Sequence, residues 1–190
     1  MEIVYKYSIP ALWVAWGAYW WIAARNVKQT TRQESFGSRF AHIGPLMLAA
    51  LLLTLPDLPL PWLYERFVAA SPVRFWLGTA LVAAGLAFAV WARVTLGRNW
   101  SGTVTLKQGH ELVRAGPYRL VRHPIYTGLL AGFLGTAIAM GQWRAVLALV
   151  IVFVALWRKL RLEERWMAEQ FGEAYARYRS EVAALIPFLL

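Results

Sequence analysis

The sequence contains no cysteine. That absence excludes disulfides and thiolate metal sites. The three histidines, His42, His110 and His123, lack the short ligand spacing of zinc sites, so no metal is expected. Charge is scarce: 16% of the 190 residues are charged, where a soluble domain carries about a quarter. Acidic residues are scarcer still, ten against twenty basic. Nothing alternates apolar and polar at period two, which argues against a membrane β-barrel. The cores of the apolar runs hold no Asp, Glu, Lys or Arg. Ion-coupled transport needs ionisable groups at membrane depth, so that class is excluded as well.

What is present is apolar sequence gathered into runs. Five stand out, at about Ser8–Ala24, Ala41–Leu55, Arg74–Val94, Pro124–Met140 and Trp143–Trp157. At 1.5 Å per helical residue, runs of this size approach the roughly 30 Å of a bilayer core. Backbone groups in lipid must pair within their own segment, so the expected fold is all-α, with about five transmembrane helices. The first run has only Lys6 as a basic residue ahead of it and is rich in Trp, unlike a cleavable signal, and it is expected to stay as an anchor. Pro56, Pro59 and Pro61 break the chain after the second run, and Ser71-Pro72 reads as a helix start. Only Gly141-Gln142 separates the last two runs, which predicts a tight helical hairpin. The whole chain, 1–190, reads as one membrane domain, with N-terminal spans in 1–60.

Charge sets the orientation. Sixteen basic residues fall in the loops after runs one and three and in the tail; four, Lys6, Arg66, Arg74 and Arg144, fall on the other side. The positive-inside rule then places the N-terminus outside and the C-terminus in the cytoplasm. The net charge of +10 is accounted for by this loop bias, and no nucleic-acid partner is expected. Trp20, Trp21, Trp62, Trp76, Trp91, Trp143 and Trp157 lie near run ends and suit an interfacial aromatic belt. Trp100, in a polar loop, does not. Gly128 and Gly132, with Ala131, Gly135 and Ala139, predict a close helix approach along run four.

Chemistry must therefore sit at the cytoplasmic face, in two polar segments. The first, Leu96 to Tyr126, includes a turn at Lys107–His110 between short extended pieces, a second turn at Gly116-Pro117-Tyr118, and Arg122-His123-Pro124 leading into run four. His123 falls at a helix N-cap, where free amides and the helix dipole favour an anion such as a carboxylate; a plain cap touching solvent is the alternative. The second segment continues run five through Lys159, Glu163 and Glu164 toward Phe171-Gly172. Lys159 and Glu163, four apart, share a face, which suits either a salt-bridged juxtamembrane helix or a binding surface. Phe171, Tyr175, Tyr178 and Val182 follow at helical spacing, as in an amphipathic interfacial helix.

The pattern GxYxxxRHPxYxG, then a hairpin, then EE ahead of FGxxYxxY, resembles the isoprenylcysteine carboxyl methyltransferase family and its bacterial and archaeal relatives. Phospholipid N-methyltransferases share much of it. The likeness covers 96–187, read as the catalytic region. The resemblance implies a membrane-embedded methyltransferase that holds S-adenosylmethionine in a cytoplasmic pocket and acts on a lipophilic or lipid-modified partner. It assigns cofactor contacts to His110, Glu111, Leu112, Val113, Tyr118, His123, Pro124, Ile125, Tyr126 and Glu163. The family's arginine for the substrate carboxylate is replaced here by Lys159, beside Arg158 and Arg161. A lysine is a point charge without the bidentate fork. Lys159 or Arg158 is expected to steer the acceptor.

Methyl transfer from a sulfonium needs alignment and exclusion of water rather than a covalent nucleophile, which agrees with the lack of any nucleophile–base set. The leading acceptor is a carboxylate on a lipophilic, isoprenylcysteine-like molecule. The rival is a lipid amine such as phosphatidylethanolamine, which needs a base, for which His123 or Glu164 stands available. A non-enzymatic membrane scaffold and a sterol-type membrane reductase using NADPH are the other classes.

Overall fold

The computed structural model describes residues 2–25, 27–28, 30–101, 105–107 and 111–187. Six α-helices make up most of it: α1 (Glu2–Ala23), α2 (Phe36–Thr54), α3 (Pro72–Leu96), α4 (Pro124–Met140), α5 (Trp143–Phe171) and α6 (Glu173–Glu181). The fold is helical, as expected, with one addition. β1 (Thr30–Gln33) and β2 (Thr105–Lys107) pair antiparallel, Thr30 opposite Lys107 and Gln33 opposite Thr105. This ribbon ties the loop after α1 to the loop after α3.

Helix ends follow local chemistry. The Ser35 side chain accepts from the Ser38 amide at 3.3 Å and caps α2. Pro72 and Pro124 open α3 and α4, where a missing N–H costs nothing. Gly141 ends α4 with φ +61°, a left-handed turn that glycine adopts freely, and α5 begins two residues later. The hairpin is as tight as the sequence implied. α5 does not stop with its apolar run but continues, polar, to Phe171.

α3 and α4 are in backbone contact. A Cβ on Gly78 would lie 2.5 Å from the Gly135 carbonyl, and one on Gly85 would lie 2.6 Å from the Gly128 carbonyl. The small residues expected on run four meet matching glycines on α3. On the other side, α2 packs along α5 through Ala49, Leu52, Val152, Leu156 and Leu160, with Leu63 and Tyr126 in the same core.

Among the described residues, two helical segments, Phe36–Thr54 and Pro72–Asn99, are long and apolar enough to cross a membrane; α4 is apolar and shorter. Large apolar side chains such as Val14, Trp21, Met47, Leu77 and Val154 face outward, as expected of a surface solvated by lipid. Tyr175 and Tyr178 are buried, and the chain after α6 returns to the start of α4. Arg122 and His123 donate their amides to the Ala183 and Ala184 carbonyls at 2.8 and 3.0 Å.

Candidate functional site

The start of α4 and the polar extension of α5 come together around a cavity of about 290 Å3. The junction is built on two carboxylates. Tyr126, on the first turn of α4, donates its hydroxyl to Glu163 Oε1 at 2.6 Å. His123 Nδ1 lies 3.6 Å from Glu163 Oε2 and its Nε2 3.4 Å from Glu164 Oε1. The imidazole also stacks parallel to the Tyr126 ring, with centroids 5.5 Å apart. Arg122 donates Nε and Nη2 to Glu164 Oε1 at 2.8 and 2.5 Å, and its Nη1 reaches the Val182 carbonyl. So the Arg-His-Pro run clamps the acidic pair and the C-terminal return together. Such charge-assisted bonds are the strong ones.

The Arg122 and His123 amides are taken by the C-terminal return, and Pro124 has none to offer. The negative charge that a helix N-terminus favours comes from Glu163 and Glu164 themselves.

Burial opposes the charge on Glu164, but hydrogen bonds from His123 and Arg122 outweigh it and hold the carboxyl down at about 2. His123 moves the other way. Burial would lower it, yet its bonds to Glu163 and Glu164 raise it above 6.5. A lowered carboxyl contributes stability that is present above its ordinary 4.5 and is lost as pH falls toward 2. A raised imidazole contributes stability that is full below 6.5 and is lost as pH rises through its elevated value. Thermal stability from this cluster is therefore expected to be greatest between 4.5 and 6.5. Arg122→Gln is expected to move the acid limb of the unfolding profile to higher pH; an unchanged acid limb contradicts the clamp.

Of the sequence-assigned residues, Glu111, Leu112, Val113, Tyr118, His123, Ile125, Tyr126, Lys159 and Glu163 line the cavity. Pro124 is fully buried just behind it. Glu164 is buried and ion-paired away from the lining. Arg158 is exposed and turned to α2, where its guanidinium donates to the Ser38 carbonyl at 3.2 Å. His110 lies outside the described residues. Lys159 is buried. Its Nζ sits 3.9 Å from Glu163 Oε1 and 5.5 Å from the centre of the Tyr126 ring.

Several lining residues escaped the sequence reading. Trp16 and Trp20 of α1 stack at 4.6 Å, and Trp100 meets Trp20 edge-on at 5.4 Å. Trp20 therefore belongs to this wall and not simply to a membrane belt. Arg93 fixes Trp100, its guanidinium 4.5 Å from the ring centre while it donates to the Ala23 and Gly97 carbonyls at 2.6 Å each. Tyr178 donates to the Tyr118 carbonyl at 2.6 Å, holding α6 over the turn at Gly116–Arg119. The FGxxYxxY spacing carried that signal; nothing in the sequence paired α1 with Trp100.

Among the described residues, the cavity is lined by two carboxylates, half-buried Glu163 and exposed Glu111, one buried ammonium, Lys159, and aromatic faces suited to a cation. A donor with an ammonium group, a sulfonium and an adenine ring matches that set: carboxylate for the cation, aromatic and apolar walls for the ring.

Residues 73–174 match the family described as phospholipid methyltransferase. The chain is similar to a probable protein-S-isoprenylcysteine O-methyltransferase of Oryza sativa subsp. indica, 29% identical over 175 residues, covering 87% of this chain and 83% of the relative. It is also similar to the protein-S-isoprenylcysteine O-methyltransferase of Saccharomyces cerevisiae, 34% identical over 119 residues, covering 60% of this chain and 48% of that one. Among solved structures, the eukaryotic intramembrane Ras methyltransferase ICMT (isoprenylcysteine carboxyl methyltransferase) shares the fold, with a TM-score of 0.56 and 22% identity. That likeness covers 84% of this chain, which spans 55% of the solved one.

Proposed function

The chain is a methyltransferase belonging to the phospholipid methyltransferase family, and we propose that it moves a methyl group from S-adenosylmethionine to the carboxylate of a lipophilic, isoprenylcysteine-like substrate. The observation that carries this reading is the placement of buried Lys159 beside Glu163 on one wall of the cavity. A cation for the acceptor and an anion for the donor stand side by side there.

Bound in this cavity, S-adenosylmethionine would supply a methyl group on a positively charged sulphur. Glu163 would hold the donor's cationic groups, oriented by Tyr126 and His123. Tyr118 and Val113 would line the ring's berth, together with Trp16, Trp20 and Trp100. Lys159 would draw the acceptor carboxylate in and hold it beside the methyl carbon. The surrounding aromatic side chains would exclude water, so that displacement proceeds from a desolvated carboxylate.

The competing amine acceptor must lose a proton before it reacts. The two available bases are poorly placed for that. Glu164 is held near 2 by Arg122 and His123, and His123, flanked by two carboxylates, is held toward its charged form. A carboxylate acceptor needs neither. The names of the relatives support the same acceptor class.

The five-span arrangement, with the N-terminus outside and the cavity and C-terminus in the cytoplasm, is part of this proposal. It puts the cavity at the membrane face, with catalytic residues within 96–187 and a wall from the spans in 1–60. The lipid part of the acceptor would enter from the bilayer between helices.

Product analysis tests the reading. With purified protein, labelled donor and an isoprenylcysteine acceptor, an alkali-labile methyl ester is expected. An alkali-stable methylamine formed on a lipid amine would overturn it. Lys159→Met is expected to raise the acceptor KM by about ten- to a hundredfold, the value of a hydrogen bond to a charged group, and Lys159→Arg to restore it. An acceptor KM unchanged in Lys159→Met removes Lys159 from that role.

A further inference from the structure

We propose that the end of the helix bundle opposite the cofactor cavity binds one anionic phospholipid. A second cavity, of about 800 Å3, lies there between α1, α2 and α4. Its walls are apolar, with Ile9, Trp13, Leu53 and Phe133 among them, and its charged lining is entirely basic: Lys6, Arg66, Arg74 and Arg144.

Three of these cations are drawn to one turn. Arg66 Nη1 donates to the Met140 carbonyl at 2.7 Å. The Arg74 guanidinium lies so close to Gly141 that a Cβ there would meet its Cζ at 2.9 Å. Arg144 Nε donates to Gln142 Oε1 at 2.9 Å. Their other bonds are also to neutral oxygens, Arg74 to the Val68 carbonyl at 2.8 Å and Arg144 to the Leu55 carbonyl at 3.0 Å. Arg66 and Arg144 thereby cap the carboxyl ends of α4 and α2, which favour positive charge, and Arg74 holds the loop ahead of α3. These contacts do not neutralise that charge. Among the described residues, Lys28, Arg32, Arg114, Arg122, Lys159 and Arg179 pair with carboxylates, all toward the cofactor cavity. None of the four cations at this end does.

Three like charges around one turn repel, and an anion accepting from their remaining N–H groups relieves that repulsion. Guanidinium forks suit phosphate oxygens. The apolar slot selects a lipid over a soluble phosphate. It follows α1 from Tyr5 to Val14, which at 1.5 Å per residue gives roughly 13 Å of wall for an acyl chain. The headgroup phosphate sits at the basic mouth and one chain runs inward past Ile9 and Trp13. The site is separate from methyl transfer and needs only that this end of the bundle faces the opposite leaflet.

Native mass spectrometry tests it on detergent-purified protein offered equal amounts of phosphatidylglycerol and phosphatidylcholine. One retained phosphatidylglycerol is expected, favoured at least about fivefold, and millimolar inorganic phosphate is not expected to displace it. The paired change Lys6→Gln and Arg66→Gln, both at exposed positions, is expected to abolish the preference while affinity for S-adenosylhomocysteine stays unchanged. Hydrogen exchange on the wild-type protein locates the site without any variant: phosphatidylglycerol is expected to slow exchange in 66–74 and 140–144. Equal retention of the two lipids, displacement by inorganic phosphate, a preference that survives the paired change, or protection confined to the other end of the bundle would each overturn the proposal.

Discussion

Glu163→Gln is expected to weaken binding of S-adenosylmethionine and S-adenosylhomocysteine by about a hundredfold, and to lower kcat/KM at least as much. The substitution keeps the shape and removes the charge. Three partners lose their anion at once: the Tyr126 hydroxyl at 2.6 Å, the His123 imidazole at 3.6 Å and the Lys159 ammonium at 3.9 Å. A single hydrogen bond to a charged group is worth roughly 1.5–3 kcal/mol, and about 2.7 kcal/mol is a hundredfold. Buried Lys159 then loses the carboxylate 3.9 Å from its Nζ, which adds to the loss. Titration of the purified variant with each ligand is the check. Near-native affinity in Glu163→Gln would mean that the donor sits elsewhere. His123→Ala is expected to act in the same direction and less strongly, because Tyr126 still holds Glu163.

The second large effect is structural. Gly128→Ala is expected to destabilise the protein by about 3 kcal/mol or more, at the upper end of what overpacking costs. The added methyl would press on the Gly85 carbonyl and lie 2.8 Å from the Ala89 amide nitrogen. Both are backbone atoms of α3, which cannot swing aside as a side chain can. The helices must separate, and α4 carries His123 and Tyr126 at its start, so donor binding is expected to fall along with stability. Gly17→Ala is the matched control. Nothing lies within 4 Å of a Cβ at that position, and alanine is the better helix former by roughly 0.5–1 kcal/mol. Thermal unfolding in detergent should therefore separate the two variants by a wide margin. Equal stability would mean that the α3–α4 contact is looser than the geometry states.

Much of this arrangement was legible in the sequence because it is local. Pro124 fixed the start of α4, Gly141 its end, and the run from Pro124 to Met140 matches the helix residue for residue. The polar continuation of α5 followed from helical spacing in Lys159, Glu163 and Glu164. The glycines of run four announced a close approach, though not the partners Gly78 and Gly85. What stayed hidden depends on contacts between distant segments. Trp16 and Trp20 read as anchors in a lipid-facing run, since nothing in α1 itself distinguishes a wall of a cavity from an interface. Arg122 looked like one more basic loop residue; its value comes from Glu164, 42 positions away. The extended piece ahead of Lys107 was legible and is β2, but β1 and its pairing with β2 were not, because a three- or four-residue strand leaves almost no periodic signal. At the α4 start, the bonding of the Arg122 and His123 amides to Ala183 and Ala184 is a contact that no spacing rule foresees.

Direct photolabelling with S-adenosylmethionine tests the central arrangement most simply. Irradiating the purified protein with labelled donor and mapping the modified peptides should place the label on the cavity lining, within 111–126 and 157–171 or at Trp16, Trp20 and Trp100, with competition by S-adenosylhomocysteine and none by NADPH. Label confined to other parts of the chain, or competition by NADPH alone, would contradict a donor held between the start of α4 and the acidic extension of α5.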